Sequence, residues 1–282
     1  MRKTIANEIH KSGTALHAGG IVNMTLSPAR SGTGIVFRRA DLGGKEIPAL
    51  YDRVGETRLG TVIAQDGASV GVIEHLMAAL AGAGIDDLLV TLDGPEPPIL
   101  DGDALSYCRL LEEAGTKEQA GSRRAFKVRK PVEIASKDAQ IRLLPCDTPE
   151  YAYDLDYPNT RAIGKQSYEI TLNQTNFARE IAPARTFGFM HELDALNKMG
   201  LGRGASLENT LAIEGDDVVN KSLMRFPDEF VRHKILDAIG DMALAGGPLI
   251  ARFEGVKSGH ATNNAVLRAL FADPANYEVV EA

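Results

Sequence analysis

One segment in the second half of the chain has the sequence Asp228-Glu229-Phe230-Val231-Arg232-His233-Lys234-Ile235-Leu236-Asp237-Ala238-Ile239-Gly240-Asp241. Its apolar residues recur at intervals of three and four positions, which predicts a helix from about Asp228 to Ala245 with one face in the protein core. The sequence Gly246-Gly247-Pro248 that follows is typical of a helix end. His233 and Asp237 are four residues apart, so their side chains leave the same face of the helix about 5–6 Å apart at Cβ. This spacing suits two ligands of one metal ion.

A second predicted helix runs from about Ser69, its expected N-cap, to Ala81 and contains the sequence Val72-Ile73-Glu74-His75-Leu76. His75 is the best candidate for a third ligand, because two imidazoles and one carboxylate form an N/O site suited to zinc with one position open for water. Glu74 stands beside it on a helix that is otherwise apolar and small, and a buried carboxylate needs a partner such as a metal-bound water. From spacing alone, a catalytic zinc site and a plain charge pair at positions i and i+4 both remain open.

The composition is that of an ordinary globular protein. The 282 residues, of which 44% are hydrophobic and 24% charged, can bury one large core or two cores of about 100–150 residues each. The formal net charge of −7 gives no reason to expect nucleic acid as a partner. Two cysteines, Cys108 and Cys146, are too few for a disulfide framework and fit a reducing cytosol. The N-terminus lacks the apolar stretch of a secretory signal and no run of 18–20 apolar residues occurs, so we expect a soluble cytoplasmic protein without a membrane span.

Both halves of the chain combine strands with helices. In the first half we predict strands at Asn23–Pro28, Gly34–Phe37 and Ile85–Leu92, and a further helix at Ala104–Ala114. The segment from Ala114 to Arg124 is small, charged and without periodicity, and we expect it to link two α+β units.

Six segments that carry these features occur in a fixed order along the chain. They are Ser12-Gly13-Thr14-Ala15-Leu16-His17-Ala18-Gly19, Val72-Ile73-Glu74-His75-Leu76, Pro97-Pro98-Ile99-Leu100-Asp101-Gly102, Ala184-Arg185-Thr186-Phe187-Gly188-Phe189, the segment from Asp228 to Asp241, and Lys257-Ser258-Gly259-His260-Ala261. In these segments, and from Thr4 to about Leu270, the chain resembles the UDP-3-O-acyl-N-acetylglucosamine deacetylases, the zinc amidases of the committed step in lipid A synthesis.

The resemblance implies an α+β fold of two similar layered α/β sandwich domains with the active site between them, plus small inserts. Domain 1–120 would carry the His75 helix, and domain 126–282 would carry an insert at about 186–215 that forms a passage for a fatty acyl chain. The implied reaction is hydrolysis of the N-acetyl group, with one Zn²⁺ ion per chain, giving UDP-3-O-acyl-glucosamine and acetate. We expect the acylated UDP-amino-sugar as the small-molecule partner and a monomer as the assembly.

The resemblance also implies a role for each matching residue. The zinc ligands would be His75, His233 and Asp237, with Glu74 as the general base and His260 as the protonated group that assists as acid. Lys234 and Thr186 would hold the oxyanion and the scissile carbonyl. Asp241 would orient the second histidine and keep His260 protonated. The residues implied to contact the substrate are His17, Phe187, Phe189, Leu201, Lys257 and Gly259.

One position departs from the family, and two other functions stay open. The lysine that helps to hold the diphosphate in many relatives corresponds to Ala139 here, and Lys137 or Lys257 could take its place. Phe187 and Phe189 also fit an ordinary core. The other functions are a zinc amidase of the same fold that acts on a different acylamino nucleotide-sugar, and a non-catalytic, zinc-stabilised carbohydrate-binding protein. The non-catalytic function is the less favoured of the two, because structural zinc sites usually close all four positions with protein ligands and only three candidates occur here.

Overall fold

The structure is a computed structural model that describes residues 1–281, so the last residue of the expected second domain, 282, lies outside the described part. Helices and sheets are both extensive, which confirms the expected α+β class. None of the helices within residues 1–281 combines the length and the apolar character that crossing a membrane requires.

The first half of the chain consists mainly of strands around two helices. In chain order its elements are β1 (Arg2–Ile5), β2 (Ile9–Thr14), β3 (Ile21–Pro28), β4 (Ile35–Arg39), β5 (Lys45–Pro48), β6 (Val54–Glu56), β7 (Val62–Gln65), β8 (Ala68–Val70), α1 (Glu74–Ala83), β9 (Leu88–Leu92), α2 (Leu105–Ala114) and β10 (Thr116–Gln119). The main sheet has the order β2-β3-β9-β4-β5, in which β4 and β9 run parallel and all other neighbours antiparallel.

The second half repeats this plan with a longer insert. Its elements are β11 (Arg124–Val128), β12 (Val132–Ser136), β13 (Ala139–Leu144), β14 (Glu150–Tyr157), β15 (Gly164–Thr171), α3 (Gln174–Asn176), β16 (Phe187–Phe189), α4 (Met190–Lys198), β17 (Leu211–Glu214), β18 (Asp217–Val218), α5 (Glu229–Met242), β19 (Leu249–Ile250), β20 (Arg252–Val256), α6 (His260–Ala272) and β21 (Tyr277–Glu281). The main sheet has the order β12-β13-β20-β14-β15, again with one parallel pair, β14 and β20.

The two main sheets therefore share the same strand order and the same pattern of directions. The first and last strands of each half also pair antiparallel, β1 with β10 and β11 with β21. By this correspondence α1 is the counterpart of α5, and each of these helices follows an insert, β6–β8 in one half and β16–β18 with α4 in the other. The chain places its two candidate ligand segments on these two counterpart helices.

Helices α1 and α5 pack against each other at the centre of the molecule. Both are buried on nearly every side, as expected for helices that lie inside a core rather than on its surface. A Cβ atom at Gly240 would lie 2.0 Å from the carbonyl oxygen of Glu74, so the two helix backbones touch at this point. This contact brings the start of α1 beside the last turn of α5.

Two predicted boundaries are wrong. Ser69 does not cap α1, because it pairs with Ala64 in the β7–β8 hairpin, and the helix begins at Glu74 after a turn in which Val72 has a φ of +54°. Part of the expected linker is a strand, since β10 completes the β1 sheet. Hydrogen bonding to distant strands decides both cases, and local periodicity does not contain that information.

Candidate metal centre and active site

Three side chains from the two central helices meet between the halves. Nε2 of His75, at the start of α1, lies 3.6 Å from Oδ1 of Asp237, and Nε2 of His233 lies 3.4 Å from the same oxygen. Ligand atoms bonded to a tetrahedral zinc at about 2.0–2.1 Å would be about 3.3–3.4 Å apart. The three side chains, all buried, could therefore hold a metal ion.

The ring of His233 is held in the tautomer that a metal requires. Its Nδ1 lies 3.2 Å from the carbonyl oxygen of Ala184 and donates a hydrogen to it, which leaves the Nε2 lone pair facing Asp237. Burial lowers the pKa of His233 to about 3, so the imidazole is neutral at physiological pH. Nδ1 of His75 is buried and has no hydrogen-bond partner within residues 1–281.

The carboxylate of Asp237 is shared between the candidate metal position and a lysine. Its Oδ1 faces the two histidines, and its Oδ2 accepts a 2.7 Å hydrogen bond from Nζ of Lys234. Burial acts to raise the pKa of Asp237, but Lys234 and His233 outweigh it and hold that pKa well below its usual range. Lys234 lies one position beyond His233 on α5, so the helix supplies two ligands and a cation at the same point.

Glu74 lies beside His75 with its carboxylate fixed by the first half of the chain. Its Oε2 accepts a 2.9 Å hydrogen bond from the backbone amide of Thr61. The residue is 4% exposed, and burial raises the pKa of its carboxyl group. A carboxylate that burial makes more basic than that of an exposed glutamate, next to a candidate metal position, suits a general base.

The histidine that Asp241 contacts is His260, from the first turn of α6. Nδ1 of His260 lies 2.8 Å from Oδ2 of Asp241. Burial lowers the pKa of His260, but the charges of Asp241 and Glu74 more than compensate and raise it to about 9. Both His260 and Glu74 line the same cavity, one as a candidate acid and one as a candidate base.

The candidate site opens into a cavity of about 450 Å³ between the halves and the second insert. Its lining includes the three candidate ligands together with the following predicted site residues: His17, Glu74, Thr186, Phe187, Phe189, Lys234 and His260. Leu201, Lys257 and Gly259 are not among the lining residues, although Leu193, Leu196 and Leu207 of the same insert are. A larger cavity of about 870 Å³ lies at the other end of α1 and α5 and contains none of the predicted site residues.

Lys257 lies directly after β20, near the position where the resemblance led us to expect a diphosphate-binding lysine. The register of β13 and β20 pairs Gln140 with Val256, so Lys257 is adjacent to the Ala139 end of β13. Its Nζ is 3.5 Å from Oδ2 of Asp156 and 3.7 Å from Oδ2 of Asp138. Lys257 therefore lies next to Ala139, the position at which this chain departs from the family.

His17 connects the two inserts across one wall of the cavity. Its ring Nε2 donates to the carbonyl oxygen of Leu59 at 2.9 Å, and its Nδ1 accepts from the amide of Gly202 at 3.2 Å. The backbone amides of His17 and Ala18 both donate to the carboxylate of Glu96. Both ring nitrogens thus have partners within the protein.

Several residues that shape the site were not found from the sequence. Glu229, at the start of α5, accepts from the amides of Arg185, Arg225 and Phe226 and from the guanidinium of Arg185. Arg225 in turn donates to Asp103. These ion pairs fasten both ends of the second insert, including Thr186. Arg185 and Glu229 lie in segments quoted above, so their charges within largely apolar stretches were a usable signal, whereas Thr61 and Glu96 gave none.

This arrangement defines a class: an α+β hydrolase in which two counterpart helices supply a His-His-Asp group that could hold a metal, flanked by a buried glutamate and an ion-paired histidine. Comparison with known proteins identifies the family. Residues 2–272 match the family described as UDP-3-O-acyl N-acetylglycosamine deacetylase, and the chain belongs to this family.

Individual relatives match over nearly their whole length. A UDP-3-O-acyl-N-acetylglucosamine deacetylase from Myxococcus xanthus is 44% identical over 282 residues, which is 100% of this chain and 90% of the relative. Proteins of the same name from Phenylobacterium zucineum (44% identity, 95% of this chain and 92% of the relative) and Neisseria meningitidis (43%, 100% and 93%) are similarly close. The chain is accordingly a hydrolytic enzyme of the deacetylase type.

Proposed function

We propose that the chain hydrolyses the N-acetyl group of UDP-3-O-acyl-N-acetylglucosamine with one bound zinc ion, releasing acetate and UDP-3-O-acyl-glucosamine for lipid A biosynthesis. The observation that carries this proposal is that the His75-His233-Asp237 group lines one cavity together with Glu74 and His260. Amide hydrolysis requires a base and an acid close to the metal position.

The donor set fits zinc. His233 presents a neutral Nε2, and Asp237 is an anion at physiological pH, so neither of these two residues has to lose a proton first. Zinc, when bound there, would polarise the amide carbonyl and lower the pKa of a water from 15.7 toward about 7. Three protein ligands leave a position for substrate or water, which is typical of catalytic rather than structural zinc.

The remaining steps belong to residues of the chain. Glu74 takes the proton of the attacking water, because it lies beside His75 on the cavity lining and burial makes its carboxylate more basic than that of an exposed glutamate by raising its pKa. The ammonium of Lys234 and the hydroxyl of Thr186 face the cavity where negative charge develops on the carbonyl oxygen. His260, an imidazolium below about pH 9, donates a proton to the leaving amine.

Apolar side chains of the second insert support a fatty acyl substrate. Phe189, Leu193 and Leu196 line one arm of the cavity together with Met190 and Leu207. The last two are large hydrophobic residues that are 40% and 48% exposed, although burial would be favourable for both. An acyl chain lying against the insert would cover them.

The polar end of the substrate would lie on the other side of the metal position. We assign Lys257 to the diphosphate, because it stands next to Ala139, where relatives carry a lysine. We place the boundary of the two domains between 120 and 126, a stretch that begins directly after β10 and includes the first residues of β11. The thiols of Cys108 and Cys146 are free, as expected for an enzyme of the reducing cytoplasm.

Product analysis tests the proposal. The zinc-loaded enzyme should release one acetate and one free amine per 3-O-acylated UDP-GlcNAc, and a chelator should stop turnover until zinc is restored. The matched alternative is UDP-GlcNAc without the acyl chain, which should react much more slowly because the insert then has nothing to bind. Turnover of another acylamino nucleotide-sugar, with none of the 3-O-acylated one, would show instead an amidase of different specificity.

A further inference from the structure

Thr61 contacts both the candidate base and the carboxylate behind the candidate acid. Its backbone amide donates to Oε2 of Glu74 at 2.9 Å, and its hydroxyl donates to Oδ1 of Asp241 at 2.5 Å. The residue is 1% exposed. Glu74 and Thr61 belong to the first half of the chain and Asp241 to the second, so this one residue joins the two halves at the site.

The backbone before Thr61 is held in an unusual conformation. Leu59 has a φ of +67°, which is uncommon for a residue with a side chain, and Gly60 has a φ of +152°. A Cβ atom at Gly60 would lie 3.1 Å from Oε1 of Glu74. Residues in such conformations persist where the surroundings demand them, and they cluster at functional sites. Here the conformation delivers the amide and the hydroxyl of Thr61 to two different carboxylates.

Asp241 is a buried carboxylate that accepts hydrogen bonds from only a few side chains among residues 1–281. Its Oδ2 accepts from Nδ1 of His260 and from Nδ2 of Asn263, each at 2.8 Å, and the hydroxyl of Thr61 is the donor on Oδ1. Asp241 is 2% exposed, so water does not readily replace a lost donor. Without the hydroxyl, the orientation of the carboxylate would rest on α6 alone.

We propose that Thr61 is a positioning residue that locks Glu74 and the Asp241–His260 pair into one unit across the two halves of the chain. The role rests on the proposed function of Glu74 as base and His260 as acid. It acts through Asp241 and not on the substrate. The distance between base and acid is then fixed by the fold itself, as productive alignment with the scissile bond requires.

The substitution Thr61→Val removes the hydroxyl, keeps the shape and keeps the amide that holds Glu74. Supporting groups behind catalytic residues typically contribute 10- to 100-fold to activity. We therefore expect kcat to fall about 10- to 100-fold in Thr61→Val, with KM and zinc content unchanged and with Thr61→Ser close to wild type. Thr4→Val is the matched control, because Thr4 is also 1% exposed and its hydroxyl accepts only from the amide of Ala29. Wild-type kcat in Thr61→Val, or an equal loss in Thr61→Ser, would overturn the proposal.

A double-variant cycle separates positioning from general packing. If Thr61 acts through Asp241, adding Thr61→Val to Asp241→Asn should change kcat less than twofold, since the partner charge is already gone. Additive losses would overturn the proposal.

A second readout needs no substrate. The downfield proton resonance of His260 Nδ1–H, identified by its loss in His260→Gln, should shift in Thr61→Val but not in Thr61→Ser or Thr4→Val. An unchanged resonance in Thr61→Val would count against the proposal. A wild-type enzyme that releases no acetate while the resonance responds as described would refute the proposed function and leave the role of Thr61 standing.

Discussion

Nδ1 of His260 and Oδ2 of Asp241 lie 2.8 Å apart and join helices α6 and α5 in a buried ion pair. Burial alone would keep the imidazole neutral, but the carboxylates of Asp241 and Glu74 raise the pKa of His260 to about 9. At neutral pH a protonated imidazole therefore lines the same cavity as the buried carboxylate of Glu74.

Activity should depend on pH through this pair. His260 is charged below its pKa of about 9, so kcat/KM should be level near neutral pH and fall tenfold per unit above about 9. Because the folded-state pKa lies above the ordinary value of 6.5, the stabilisation from the pair is complete below about pH 6.5 and is lost as the pH rises through 9. Rate profiles from pH 6 to 10.5 check this. His260→Gln should be slower and lack the alkaline limb, and a Gln variant that kept the limb would assign it to another group.

Glu74 should be essential for turnover and dispensable for metal binding. General bases contribute about 10²- to 10⁴-fold, so Glu74→Ala and the isosteric Glu74→Gln should both lose about that much kcat. Zinc content, measured by mass spectrometry on the dialysed protein, should stay at one ion per chain, because the three ligands are intact. Loss of zinc in both variants would make Glu74 a ligand.

Removal of a ligand should have the opposite signature. His233→Ala takes away the Nε2 atom that lies 3.4 Å from Oδ1 of Asp237, and two protein ligands do not hold zinc through dialysis. Zinc stoichiometry should fall well below one, and activity with it. His10→Ala is the control, since the His10 side chain is 70% exposed and lies outside the cavity. Full zinc occupancy in His233→Ala would remove His233 from the coordination sphere.

Glu229 should matter for stability rather than for chemistry. Its carboxylate is fully buried and holds the guanidinium of Arg185 and three backbone amides, so Glu229→Ala leaves a buried charge without its partner. Loss of one partner of a buried ion pair costs about 3–5 kcal/mol, which urea unfolding can measure. Glu46→Ala breaks the exposed pair with Arg38 and should cost less than about 1 kcal/mol. Equal effects of the two substitutions would show that the contacts of Glu229 contribute little to the free energy of unfolding.

The sequence contains enough information for the helix α5 and for two of the three candidate ligands. The apolar period of α5 and the four-residue spacing of His233 and Asp237 follow from local rules, and the structure places both residues as expected. From spacing alone, His75 was only a candidate for the third ligand, because its position next to α5 depends on how the two helices pack.

Residues that act through long-range contacts gave no local signal. Thr61 is separated from Asp241 by 180 positions, and Ala184 takes part through its carbonyl oxygen, which every residue possesses. The shared strand order of the two sheets was not visible in local patterns, because hydrogen bonding sets the strand order and many sequences with alternating apolar residues are compatible with it. Only the resemblance implied two similar domains. The resemblance to a family, and not periodicity, supplied the substrate.

Gly240 tests how closely the metal site depends on the packing of α1 against α5. A Cβ atom there would lie 2.0 Å from the carbonyl oxygen of Glu74, and because that oxygen belongs to backbone it cannot rotate away. Gly240→Ala should gain about 1 kcal/mol in helix propensity. Overpacking costs about 1–3 kcal/mol or more and should outweigh that gain. The helices must then separate, which moves His75 away from His233 and Asp237, so zinc affinity and kcat should fall together with the free energy of unfolding.

Gly55→Ala is the matched control, because its nearest neighbour would be Cβ of Ala64 at 3.9 Å, an ordinary contact. A Gly240→Ala enzyme with normal zinc affinity would show that the ligand geometry tolerates a shift between the two helices, and the site would then owe its shape to the loops around Thr61 and Ala184 instead.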